Sequence, residues 1–200
     1  MKIEAVIWDL GGVLVRTEDR GRRIWWEQKL QLEPGQLDRL VFQGEMGRKA
    51  ALGKAQAADI WHALGTHFNL SETDRLQLEQ DFWSGDHVDQ ELMLLIRTLR
   101  PQHKTGLLSN AWPDLRHALV DLWKIDDAFD QIVISAEVGI AKPDPGIYRL
   151  MLSQLGIDPP QAVFIDDFLE NIDAAKQLGL HTIHFMNAEL TQSRLLDLLQ

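Results

Sequence analysis

Ala5-Val6-Ile7-Trp8-Asp9-Leu10-Gly11-Gly12-Val13-Leu14 is the stretch from which the fold can be read. Its first half is a short apolar run with β-branched residues, bounded by turn residues, which predicts a strand buried on both faces in the middle of a parallel sheet. The run ends on an acid. Burying the Asp9 carboxylate beside two glycines costs free energy unless it is paired or holds a metal, so its place at the carboxyl lip of a strand needs an explanation. Gly11 and Gly12 let the backbone turn sharply and approach a ligand closely. An Asp that only accepts hydrogen bonds in a strand-to-loop turn fits the same local pattern.

Downstream, the second half of the chain alternates regularly. Strands are predicted at 105–109, 131–135, 162–166 and 182–185, separated by helices at 114–122, 145–155 and 169–178, with a last helix at 189–199. Such alternation implies right-handed crossovers and a doubly wound α/β domain built on a parallel sheet covered on both faces. Between the first strand and the second lie about a hundred residues, where a crossover needs a dozen or more. That interval reads as helices at 20–30, 36–42, 50–68, 71–82 and 89–99, with no convincing strand. We therefore expect a core domain of residues 1–15 and 86–200, and a small all-helical cap of residues 16–85 seated above the carboxyl edge of the sheet. Arg20, Arg22 and Arg23 alternate with Glu18, Asp19 and Glu27, which predicts the solvated face of a helix whose Ile24 and tryptophans pack inward.

The composition narrows the chemistry. With 200 residues, 45% of them apolar, the chain can form one sizeable domain with an insertion. It has no cysteine, so a metal would have to sit on oxygen or imidazole, which favours hard cations such as Mg²⁺. A net charge of −10 argues against a nucleic-acid partner. There is no apolar run long enough for a membrane span and no signal-peptide pattern, so the expectation is a cytoplasmic protein without a membrane partner, monomeric or homodimeric. The seven histidines lack metal-ligand spacing, and the tryptophans read as packing residues.

In an open parallel sheet, residues ending separate strands converge beyond the carboxyl edge. Here these are Asp9, Ser109 with Asn110, and Asp166 with Asp167, while Lys142 lies in the loop Gly139-Ile140-Ala141-Lys142-Pro143-Asp144-Pro145. Each has a plain alternative: a capping Ser, a surface Lys, acids at a helix start. As a set they are harder to explain plainly. Three carboxylates, a hydroxyl and a lysine at one edge would repel or stay unpaired without a cation and an anionic ligand, and Mg²⁺ bridging acids to a phosphate meets both needs.

At these residues the chain resembles the haloacid dehalogenase superfamily over nearly its whole length. The carriers are Trp8-Asp9-Leu10-Gly11-Gly12-Val13-Leu14, Leu107-Leu108-Ser109-Asn110, Ala141-Lys142-Pro143-Asp144, and Phe164-Ile165-Asp166-Asp167 followed by Asn171, Ala174 and Gly179. The resemblance implies that Asp9 attacks phosphorus to form an aspartyl-phosphate, and that Asp9, Asp166, Asp167 and the Gly11 carbonyl hold Mg²⁺. It further implies that Ser109, the Asn110 amide and Lys142 bind the phosphoryl oxygens, and that Lys142 keeps Asp9 ionised. The substrate would be a small phosphorylated metabolite.

One position departs from the family pattern. Phosphatases of this superfamily usually carry a second Asp two residues after the nucleophile as acid and base, and here that position is Gly11. Three functions compete. The first is a phosphatase whose leaving group needs little protonation, such as a sugar 1-phosphate or acyl phosphate, as in a branch of sugar-phosphate phosphatases that lack this acid. The second is a phosphonatase-like C–P hydrolase using a cap lysine, for which Lys29, Lys49 and Lys54 are available. The third is a catalytically silent relative that binds a phospho-ligand or a protein. Dehalogenation fits less well, because it needs no metal and Asp166-Asp167 suits one.

Overall fold

The computed structural model describes residues 2–200. Five parallel strands, β1 (Ala5–Trp8), β4 (Lys104–Ser109), β5 (Gln131–Ile134), β6 (Ala162–Asp166) and β7 (His181–His184), form one sheet in the order β5-β4-β1-β6-β7. The apolar run 5–8 is buried throughout because its strand is central, hydrogen-bonded on both sides and covered on both faces. One face packs under α6 (Gln90–Leu99) and α11 (Ala188–Leu199), with Trp8, Met93, Ile96 and Leu195 in the layer. The other packs under α9 (Pro145–Leu155) and α10 (Leu169–Gln177), with Ile7, Tyr148, Met151 and Phe164. Among the described residues no helix is long and apolar enough to cross a membrane.

The long interval holds five helices, α1 (Gly21–Lys29), α2 (Gln36–Gln43), α3 (Glu45–Ala50), α4 (Ala57–His67) and α5 (Glu72–Trp83), around their own apolar centre of Trp26, Leu37, Val41, Trp61, Leu78 and Phe82. Of the expected helix 50–68 only α4 forms, since α3 ends at Ala50 and residues 51–56 turn. Gly53 turns between the two helices at φ +70, where a Cβ would stand 2.2 Å from the Ala136 carbonyl oxygen, so the turn presses directly on the short helix Ser135–Val138 after β5. Ser71 caps α5 through its side chain, 3.1 Å from the Asp74 amide, as the S-E-T-D pattern predicts.

Three further differences have physical reasons. A two-stranded antiparallel ribbon, β2 (Val15–Thr17) with β3 (Asp86–Val88), joins the helical interval to the sheet domain, and strands of three residues leave no readable periodicity. The helix expected at 114–122 begins as an α-turn, Leu115–His117, and continues as a π-turn, Ala118–Leu122. On α1 the inward and outward faces are shifted: Ile24 and Trp25 are exposed, whereas Arg23 is 3% and Glu27 4% exposed. Arg23 is taken inside because it finds acceptors there, donating to the Phe82 carbonyl and to Asp38 and Asp86 at 2.8, 2.6 and 2.7 Å.

Candidate active site

Parallel register builds the centre of the site. Trp8 pairs with Ile165 on β6 and with Leu107 on β4, so Asp9 and Asp166 leave neighbouring strands at one level, with Ser109 ending the strand on the other side. Lys142 arrives from the loop before α9, and its Nζ is 2.7 Å from Asp9 Oδ1 and 2.7 Å from Asp166 Oδ2. All three side chains are buried, Asp166 completely. A buried cation forked between two buried carboxylates is held by geometry in which each charge has a partner.

Asp166 is the most tightly fixed member. Its carboxylate also accepts from the Phe168 amide at 2.8 Å and from the Asn171 carboxamide at 3.0 Å on each oxygen. Asn171 stands in the first turn of α10, five residues beyond Asp166. That spacing was visible in the sequence, but the role required the turn between them. Asp167 differs: its Oδ1 is buried and has no hydrogen-bond partner. It contributes with Asp9 and Asp166 a group of carboxylate oxygens lying within 4.8 Å of one another. Three acids converging around an unpartnered buried oxygen fit a hard, oxygen-coordinated cation of the Mg²⁺ type.

The turn after Asp9 is shaped around this trio. Gly12 lies at φ +80, and a Cβ there would come within 2.3 Å of Asp167 Oδ2. Any side chain would be strained and would displace the acid. Gly11 is exposed, and a Cβ built on it meets nothing within 4 Å, so open space lies where a side chain at this position would start.

Electrostatics follow from burial. Burial is the largest influence on Asp9 and, with repulsion from Asp166, outweighs the pull of Lys142, raising its pKa to about 7. Lys142 thus acts on Asp9 in the expected direction, lowering its pKa against the larger effect of burial. Burial and Asp166 likewise push Asp167 up to about 6. For Lys142, burial pulls the ammonium down, but Asp9 and Asp166 more than offset it and hold it above its usual value.

The phosphate-binding expectations meet the structure unevenly. Ser109 sits buried at the end of β4. The Asn110 carboxamide is already engaged, donating to the Lys142 carbonyl and accepting from the Lys142 amide, both at 2.8 Å. It therefore positions the lysine loop, and only its backbone amide is left to serve a phosphate. The lysines of the helical interval are far from the conditions a Schiff base requires: Lys29 and Lys49 form exposed ion pairs with Asp74 and Glu45, and Lys54 is exposed. Trp61 is wholly buried, and Arg48 is exposed, donating to the Gln43 carbonyl.

A family model described as haloacid dehalogenase-like hydrolase matches residues 3–179. Bifunctional epoxide hydrolase 2 of Sus scrofa is 27% identical over 92% of this chain, which spans only 36% of that relative's length. D-ribitol-5-phosphate phosphatase of Bacteroides thetaiotaomicron is 27% identical over 90% of both chains. Among solved structures, the HAD-family enzyme bt-2542 of Bacteroides thetaiotaomicron, in complex with magnesium and inorganic phosphate, superposes with a TM-score of 0.74. It is 25% identical, over 90% of this chain and 93% of its own.

Proposed function

The chain belongs to the haloacid dehalogenase-like hydrolases, and from that premise we propose that it is a magnesium-dependent phosphatase of small phosphorylated metabolites working through an aspartyl-phosphate on Asp9. The observation that carries this reading is Lys142 Nζ at 2.7 Å from both Asp9 and Asp166, beside the unpartnered buried oxygen of Asp167. That arrangement suits a site completed by a cation and a phosphoryl group. Relatives with phosphatase names and the magnesium and phosphate complex support it.

In this reading Asp9, Asp166, Asp167 and the Gly11 carbonyl hold Mg²⁺, which when bound neutralises charge on the phosphoryl oxygens. An Asp9 oxygen attacks phosphorus as the bond to the leaving oxygen breaks; that oxygen departs with the electron pair and takes a proton from solvent. Water then attacks the phosphoryl group, releasing phosphate and restoring the Asp9 carboxylate. Lys142, the Ser109 hydroxyl and the Asn110 backbone amide take up charge on the phosphoryl oxygens, a contribution made where it is needed only if the donors are already in place. Asn171 and the Asn110 carboxamide act by positioning Asp166 and the lysine loop. Because position 11 has no acid, the preferred leaving group departs with little protonation, as from a sugar 1-phosphate or an acyl phosphate. The helices of residues 16–85 serve as the cap that excludes water. A cytoplasmic setting and no nucleic-acid partner complete the proposal, supported by the absence of cysteine and the net charge of −10, with a monomer or homodimer as the assembly.

Phosphate release from a panel of phosphorylated metabolites, with Mg²⁺, with chelator and with Asp9→Asn, tests it. Release that requires the metal and disappears in the variant is expected. Release that persists in Asp9→Asn would remove the nucleophile assignment, and none from any compound would leave a phospho-ligand binder.

A further inference from the structure

We propose that the leaving-group side of the phosphate site is an aromatic wall of Phe42, Trp83 and Trp112, which selects phosphates carrying a ring next to the scissile oxygen over ringless ones. This rests on the phosphatase reading above and specifies its substrate class. Trp112 leaves the sheet domain only two residues beyond Asn110, whose carboxamide grips the Lys142 backbone. Its indole packs into the apolar centre of the helical interval and is 7% exposed. It therefore spans from the rim of the site to the cap.

Two rings close on it from the ends of cap helices. Phe42, near the end of α2, lies 5.7 Å from Trp112, and Trp83, the last residue of α5, lies 5.6 Å away. They are 5.9 Å from each other. Phe82 backs both, at 5.6 and 4.9 Å. The backing rings are buried, yet Phe42 remains 43% and Trp83 38% exposed. Trp83 is held edge-on by Phe42, Phe82 and Trp112, and Phe42 packs at tilted angles on Phe82 and Trp112; with free surface left on both where they meet Trp112, the two rings are pre-set to pack against a third. The wall offers ring faces and edges, with no polar side-chain group beyond the indole N–H of its two tryptophans, so an acyclic polar group gains at most a donor there while a ring also gains stacking area.

The experiment compares kcat/KM for phenyl phosphate with that for acetyl phosphate, both of which leave without an acid, in the presence of Mg²⁺. The variants are Trp83→Ala, Trp83→Phe and, as a control on the outer face of α1, Trp25→Ala. The ratio of phenyl to acetyl phosphate is expected to fall about tenfold in Trp83→Ala, chiefly through KM for the phenyl ester. It should recover partly in Trp83→Phe and stay at the wild-type value in Trp25→Ala. Metal-dependent turnover of acetyl phosphate with a ratio unmoved by Trp83→Ala overturns the wall and leaves the phosphatase standing. No metal-dependent turnover of either compound overturns the phosphatase reading, and the wall with it.

Discussion

In the proposed reading Gly11 is where an acid–base side chain is missing, and the structure leaves room for one. A Cβ there meets nothing within 4 Å, and the backbone is outside the left-handed region. Gly11→Asp should therefore fold and supply the missing proton donor. We expect kcat on alkyl phosphates to rise by about 10²-fold, toward the lower end of what a positioned acid contributes, with little change on acyl phosphates. Equal effects on both classes would show that protonation of the leaving group is not what position 11 controls. The neighbouring glycine behaves oppositely: Gly12→Ala drives a methyl into Asp167 and should weaken Mg²⁺ binding. Asn171 tests the support beneath the acids. It donates to both Asp166 oxygens, and outer partners of metal ligands typically contribute about 10- to 100-fold in affinity. Asn171→Ala should raise the Mg²⁺ dissociation constant by about tenfold, as measured by calorimetric titration, and Asn171→Asp should do worse by adding a fourth carboxylate.

Between elements, the helices of residues 21–83 are tied to the ribbon through Arg23. Its guanidinium ties α1 to α2 through Asp38, to α5 through the Phe82 carbonyl, and to the ribbon through Asp86, while lying 3.9 Å over the Phe82 ring. Its side chain is 4% exposed and its partners 22% and 13%. Removing it leaves Asp86 without its cation, Asp38 with Arg20 alone and the Phe82 carbonyl without its donor, so Arg23→Ala should cost about 3 kcal/mol, or roughly 6–12 °C in Tm by thermal unfolding. Arg23→Lys should recover only part, since an ammonium cannot span three acceptors held in a fork. A loss under about 1 kcal/mol would mean that the pairs are as weak as surface ones. This hub was not legible in the sequence, where Arg23 sits among solvated neighbours and its partners lie 15, 59 and 63 positions away. The same holds for the ribbon, whose strands are three residues each, and for the turn at Gly53, whose reason is a carbonyl more than eighty positions downstream. What did show were elements whose signal is local: the buried run 5–8, the α5 cap at Ser71, the proline-started α9. Strand-end acids were legible for a topological reason, because a parallel sheet gathers its carboxyl ends whatever their separation in sequence. The division of labour between Asn110 and Lys142, and the grip of Asn171 on Asp166, depend on side-chain directions that residue spacing does not carry.

Taken as a whole molecule, the sheet domain buries a cluster of like charges at its central strand, and that ties stability to pH and to cations. Asp9 is pushed up to about 7 and Asp167 to about 6 by burial and by Asp166, against an unfolded value near 3.8. An acid whose pKa is raised on folding holds its proton in the native state over a range where the unfolded chain has released it. Without a divalent cation, these two groups therefore stabilise the fold fully below about pH 4, and that contribution is lost as pH rises through 6 and 7. Asp38 and Asp89 work in the other direction. Burial raises each, but Arg20 and Arg23 on the first, and the Leu92 amide with Arg16 on the second, hold both below the usual range. Their contribution is present at neutral pH and is lost only as pH falls below about 4. Mg²⁺ inverts the first pair's effect, because it binds the deprotonated acids and must displace their protons. Its apparent affinity should increase by roughly 10³-fold between pH 5 and pH 8 if both protons leave. Thermal unfolding at pH 5, 6.5 and 8, with saturating Mg²⁺ and with chelator, reads this directly: the rise in Tm on adding Mg²⁺ should be small at pH 5 and largest at pH 8. Asp167→Asn should flatten the dependence, by removing one titrating ligand, without abolishing it. A metal-induced rise that is the same at all three pH values would mean that the cation binds elsewhere than among Asp9, Asp166 and Asp167.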